Sequence, residues 1–143
     1  MTAKEYLRQL QDMEKAIEKK QERRREILYR AKYVTANYSG VKVRSGSTSD
    51  RVADAVIAAE TLQQEIDADM LDLICKRHEI IGQIQQLQKV LSIDILYFRY
   101  VQHKSLKDIA KETGYTAQYI RTAHGKALLE FEEQNPDILQ SAE

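Results

Sequence analysis

Ser105-Leu-Lys-Asp-Ile-Ala-Lys-Glu-Thr-Gly-Tyr-Thr-Ala-Gln-Tyr-Ile-Arg-Thr-Ala-His-Gly-Lys-Ala-Leu-Leu129 is the stretch whose reading decides the fold. Its constrained positions are those of two short helices joined by a tight turn. Ile109 and Ala110 give the first helix an apolar residue and a small one, which lets a second helix pack closely. Gly114 follows four residues later, where a positive φ is cheapest for glycine. Tyr115 is expected to pack just beyond the turn and Thr116 to cap the next helix. Ile120, Ala123 and Ala127 then form that helix's buried stripe. An ordinary two-helix corner uses apolar positions of the same kind, but the glycine and alanine at fixed offsets favour a helix-turn-helix.

In such a motif the second helix leads with its N-terminal part into the major groove of double-stranded DNA. Thr116, Ala117, Gln118, Arg121 and Thr122 are left facing outward as candidates for base readout. These residue types suit base edges, since Gln bonds adenine and Arg guanine bidentately, while Thr and Ala touch the thymine methyl. Lys104, Lys107 and Lys111 on or before the supporting helix, and Lys126 further along the second, are candidates for phosphate contact. His103 and His124 read as polar surface or phosphate-contacting residues, because neither has a second metal ligand at a suitable spacing.

Upstream of this stretch the elements are long. Thr2-Ala-Lys-Glu5 matches a capping box, and Leu7, Leu10, Met13, Ile17, Ile27, Leu28, Ala31 and Val34 recur at helical spacing. One helix of about 35 residues is the expectation. Residues 37–50, with two glycines and four serines, read as a bend, after which Ser49 or Asp50 is placed to cap a second helix. Val52, Ala59, Ile66, Leu73, Ile80 and Leu87 then repeat every seven residues, with Val56, Met70, Ile84 and Leu91 on the complementary seam and Gln63 and Arg77 interrupting it. One seam cannot bury itself. Folding back onto the first helix sets Ile17 against Met70, Leu28 against Ala59 and Arg24 against Gln63, as an antiparallel hairpin that a homodimer could extend.

The expected fold class is therefore all-α. Residues 1–91 form the coiled-coil-like hairpin and 92–134 the helix-turn-helix module, which starts with a short helix from Ile93 to Val101 capped by Ser92. Gln102 to Lys104 make a turn, and Asn135-Pro136 stops the last helix and releases an acidic tail, 135–143.

The 143 residues carry 22 Lys+Arg and 22 Asp+Glu, a neutrality that hides a pattern. Residues 1–50 are net +5, 51–91 net −3, 92–128 net +3 and 129–143 net −5. The candidate DNA-binding stretch is cationic between two acidic ones, and the final acids could compete with DNA for Lys104, Lys107 and Arg121. No apolar run approaches a membrane span, and the opening residues do not resemble a signal peptide, so a cytoplasmic location is expected. Cys75 is single, which excludes an internal disulfide and any cysteine-rich zinc site. Glu65, Asp69 and Asp72 share a helix face but lack the histidine of a transition-metal site. With no nucleophile–base pair, phosphate loop or metal cluster, the reading is non-enzymatic and needs no cofactor.

Ile95-Leu-Tyr-Phe-Arg-Tyr-Val101, Leu106-Lys-Asp-Ile-Ala110 and the stretch from Gly114 to Leu128 together resemble region four of sigma-70-type factors, which reads the upstream promoter element. The chain resembles more closely the ArpU-type regulators of late genes in phages and prophages of Gram-positive bacteria. Met1 to Leu7, Val34-Thr-Ala36, Ser49 to Val52 and Ala123 to Ala127 extend that likeness over nearly the whole chain. The resemblance implies a regulator acting at phage promoters in a bacterial host, through DNA and RNA polymerase. Nothing corresponds to the sigma region that melts DNA. Tyr119 and Gly125 depart from the sigma pattern, so a sigma base code does not carry over. Two other functions fit parts of the pattern: a phage DNA-packaging recognition subunit, and a coiled-coil interaction protein with a purely structural C-terminal corner.

Overall fold

The computed structural model describes residues 1–38 and 47–140, and every regular element among them is helical. Six α-helices follow in order: α1 Ala3–Tyr38, α2 Ser47–Gln85, α3 Val90–Leu96, α4 Leu106–Thr113, α5 Ala117–Gln134 and α6 Pro136–Gln140. A π-helical turn, Tyr97–Val101, prolongs α3. The expected bend falls mainly on residues 39–46, outside the described residues. No helix among the described residues is long and apolar enough to cross a membrane.

The capping box starts α1. The Glu5 N–H donates to Thr2 Oγ1 at 3.2 Å, and the Thr2 N–H donates to Glu5 Oε2 at 3.0 Å. The beginning of α2 differs from expectation. It starts at Ser47, so Ser49 and Asp50 lie inside its first turn, where the Asp50 carboxylate complements the helix dipole.

The chain divides into two compact units. One comprises residues 14–72, with Ile17, Ala59, Leu62 and Ile66 buried. Here Ala59 and Ile66 of the expected seven-residue ladder are buried, but the seam beside them is not the expected one. Leu62 is buried, whereas Val56 and Met70, assigned to the seam, are exposed. On the Leu62 side Lys20 of α1 meets Asp69 at 2.6 Å and Glu65 at 3.7 Å. The Gln63 amide donates to Asp67 at 2.8 Å within α2.

The other unit comprises residues 1–13 and 73–143. The division therefore falls within the long helices and not at residue 91. The apolar ends of those helices explain it. Ala3, Tyr6, Leu7 and Leu10 of α1 and Ile80 and Ile84 of α2 are buried in one cluster with Leu87, Leu96, Tyr100, Val101, Ala127 and Phe131. A second cluster joins Ile95, Ile109, Ala110 and Ile120. Residues 91–101 serve both: Leu96, Tyr100 and Val101 enter the first, while Ile95 enters the second, with Leu91 and Phe98 packed against it. This explains why that segment is apolar nearly all round.

Three boundaries depart from the sequence reading. Helix α2 stops at Gln85, so Leu87 and Leu91 are not on its heptad ladder. The break is held from outside: the Gln134 side-chain amide donates to the Gln86 carbonyl at 2.7 Å, and Leu87 is buried. Ser92 does not cap α3, which begins three residues earlier than expected, at Val90 after Lys89; Ser92 is buried inside the helix. The C-terminal residues are not simply released. Asn135 ends α5 with its own amide on the Phe131 carbonyl at 3.1 Å, Pro136 opens α6, and Ile138 and Leu139 pack on the first cluster. Residues 141–143 lie outside the described residues.

Candidate nucleic-acid interface

Both helices of the candidate motif begin on side-chain caps. Ser105 Oγ accepts from the Asp108 N–H at 3.2 Å to start α4, and Thr116 Oγ1 accepts from the Tyr119 N–H at 3.1 Å to start α5. Between them Gly114 closes α4 in the left-handed region, φ 82°, its N–H bonded to the Ala110 carbonyl at 2.9 Å. A Cβ on Gly114 would meet no atom within 4 Å, so its backbone conformation, not crowding, demands glycine. Gly125, exposed within α5, has open space and an ordinary helical backbone. The two glycines should respond oppositely in chemical denaturation. Gly114→Ala is expected to lower stability by about 1–2 kcal/mol, and Gly125→Ala to raise it by about 0.5–1 kcal/mol.

Ile109 and Ile120 are fully buried and Ala110 nearly so, which seats α5 against α4 through a small side chain. With Ile120, Ala127 and Phe131 turned inward, helical periodicity leaves Gln118, Thr122 and Gly125 on the opposite side, with Arg121 beside them and Ala117 nearer the inward face in the first turn; all five are exposed. Thr116 is exposed too, though its oxygen is committed to the cap. The Thr122 hydroxyl donates to the Gln118 carbonyl at 3.2 Å, leaving its methyl and its acceptor lone pairs to meet a partner.

The cations divide. Lys107, Lys111 and Lys126 are exposed. Lys104 is half-buried: its ammonium pairs with Glu112 and sits 4.8 Å from the centre of the Phe98 ring. The pair ties the residue before the α4 cap to the last turn of that helix, eight residues apart in sequence. Lys104 thus has a structural role that the sequence reading did not include. Two acids of the C-terminal region are also engaged. Glu130 pairs with Lys89 at 3.2 Å, and Glu132 accepts from the Ala3 N–H at 3.1 Å, at the start of α1. These two carboxylates are therefore occupied by partners other than Lys104, Lys107 and Arg121.

His124 is not a surface residue. It is half-buried, stacked on Tyr100 with ring centres 5.7 Å apart and sharing a 2.8 Å hydrogen bond with its hydroxyl. Burial, then the nearby charges of Arg99, Lys4 and Arg8, push its pKa down to about 4, so the imidazole is neutral at neutral pH. Burial raises the Tyr100 phenol for the corresponding reason. His103 occupies the left-handed region, φ 58°, in the connection before α4. Among the described residues no group of three or more His, Cys, Asp or Glu side chains could hold a metal ion.

Tyr115 does not pack inward as expected. It is 47% exposed and stacks on Tyr119, itself 50% exposed, with ring centres 4.8 Å apart and planes 25° apart. The sequence reading missed this pair as a feature of the surface. Its signal was two tyrosines four residues apart astride the Thr116 cap, a spacing that brings side chains together over the first helical turn.

No protein-family model matches the chain, and neither a curated protein nor a solved structure matches it.

Proposed function

We propose that the chain is a sequence-specific DNA-binding transcription regulator, with α4, the Gly114 turn and α5 acting as a helix-turn-helix and α5 as its recognition helix. The observation that carries this reading is the exposed face of α5. Gln118, Arg121 and Thr122 are exposed there near the start of a helix capped at its N-terminus and braced from behind by Ile120. Lys107 and Lys111 on α4 and Lys126 on α5 are exposed, and their positive charge suits phosphate. The long helices form an antiparallel hairpin on this reading, supported by the Lys20 contacts with Asp69 and Glu65 in one unit and by the Tyr6 hydroxyl donating to Gln83 at 2.9 Å in the other.

Binding-site selection followed by footprinting tests the proposal. A defined protected site is expected. Arg121→Ala should cost about 1–3 kcal/mol on that site and relax its sequence preference, whereas Lys107→Ala should weaken binding to all sequences alike. Unchanged affinity and preference in Arg121→Ala would remove α5 from the groove. The resemblance to phage late-gene regulators adds RNA polymerase as a second partner, and Val56, Ile57, Met70 and Leu71, exposed on α2, suit pairing with a second copy. The same footprint reports both: two symmetric half-sites for a dimer, and an extended protected region when polymerase is added.

A further inference from the structure

The exposed side of α5 carries an element that the base-reading residues do not account for. Tyr115 and Tyr119 stack on each other yet each keeps about half its surface open to water. Two neighbouring exposed aromatic rings form an apolar patch of the kind that marks a contact surface. Their place on the helix indicates which part of a DNA duplex they would meet. At about 100° per residue, Tyr119 lies a little over a quarter turn from Ile120, the inward-facing residue. It shares that flank with Lys126, seven residues on, and both are exposed. Gln118 and Thr122 lie roughly opposite Ile120. When those two face the base edges, the flank carrying Tyr119 and Lys126 faces a sugar–phosphate wall of the groove. Arg121 lies on the other flank, on an arm long enough to turn toward a base.

Resting on the DNA-binding reading above, we propose that the Tyr115–Tyr119 stack is a preorganised clamp for the DNA backbone. The Tyr119 hydroxyl donates to a phosphodiester oxygen, and its ring lies against the deoxyribose. Tyr115, stacked on Tyr119, holds that ring in place before DNA arrives. Lys126 supplies charge to the same wall. Tyrosine suits this role because it offers a large rigid surface with few rotatable bonds to immobilise. The stack reduces that cost further, since the ring is already packed on a neighbour. A backbone contact fixes the helix's register on the duplex but carries no sequence information. A phenol carries no charge at neutral pH, so its contact releases no counterion, whereas the Lys126 contact does.

These differences define the test. Fluorescence anisotropy is measured with two duplexes of equal length, one selected by the wild-type protein from a random pool and one unrelated. Tyr119→Phe keeps the stacked ring and removes only an exposed hydroxyl, so it leaves the fold intact. It should weaken binding to both duplexes by about the same factor, roughly 3–10-fold, with the salt dependence unchanged. Lys126→Ala should also weaken both, but should lower the slope of log affinity against log salt by about one. Tyr115→Ala should reproduce the Tyr119→Phe pattern on both duplexes. Wild-type affinity in Tyr119→Phe would overturn the clamp while leaving the DNA-binding reading standing. A loss confined to the selected duplex would also overturn it, by making Tyr119 a base-reading residue. A wild-type protein that selects no duplex from the pool and does not bind the unrelated one would overturn the clamp together with the DNA-binding reading.

Discussion

Phe131→Ala is expected to cost about 3–5 kcal/mol of stability. Phe131 is fully buried, and its ring meets that of Tyr6 at 5.9 Å between centres with a 32° tilt. Around it the first cluster gathers Ala3, Leu7 and Leu10 from α1 and Ile80 and Ile84 from α2, with Leu96 from α3. Truncation would remove the apolar contacts of a whole ring and leave a cavity whose walls come from several helices, so collapse around it would be limited. Both backbone and side-chain hydrogen bonds from Asn135 end on the Phe131 carbonyl and survive the change, which confines the effect to packing. A folded domain typically holds only about 5–15 kcal/mol in reserve, so the variant should unfold at markedly lower urea, with the slope of the transition unchanged. A loss below about 1 kcal/mol would mean that the cluster refills the space and that Phe131 is not its centre.

That cluster also marks where the sequence was legible and where it was not. Local signals were strong. Thr2 and Glu5 cap each other three residues apart, Thr116 caps α5, and Gly114 takes the positive φ that its place in the turn demanded. Each depends on neighbours within one helical turn, which a sequence displays directly. The end of α2 was hidden because no glycine or proline marks it; the Gln86 carbonyl is satisfied by Gln134, 48 residues further on. The heptads of α2 gave the helix and its buried ladder at Ala59, Ile66 and Ile80, but not the residues beside it, where Leu62 is buried and Val56 and Met70 are exposed. Likewise, the sequence offered Lys104 as a phosphate-contacting cation, and its pairing with Glu112 in the last turn of α4 changes that. Pro136 stops one helix in the sequence reading and opens another in the fold, because Ile138 and Leu139 find apolar partners once the first cluster exists. The candidate site was the most legible part. Its outward residues follow from the inward ones by periodicity alone, and the Tyr115–Tyr119 stack escaped because Tyr115 reads equally well as a core residue.

Ile120→Ala should be the most informative single change to the proposed DNA-binding face, although Ile120 touches no part of that face. Ile120 is fully buried among Ile95, Ile109 and Ala110, and it is the only residue of α5 that belongs to this small cluster, with Ala123 packed at its edge. Removing it is expected to cost about 2–5 kcal/mol. The opening should be local first, because the other end of α5 is held separately through Ala127 and Phe131 in the larger cluster. Amide hydrogen exchange should therefore lose protection most over residues 105–123, while residues 127–134 keep theirs. On the proposed function, DNA affinity should fall at the selected site even at temperatures where the protein is folded by circular dichroism, because Gln118, Arg121 and Thr122 keep their chemistry but lose the support that aligns them. Arg121→Ala should do the reverse, lowering affinity without altering exchange. If Ile120→Ala instead raised exchange evenly across residues 73–140, the two clusters would open as one, and the brace behind α5 would not be separable from the rest of its unit.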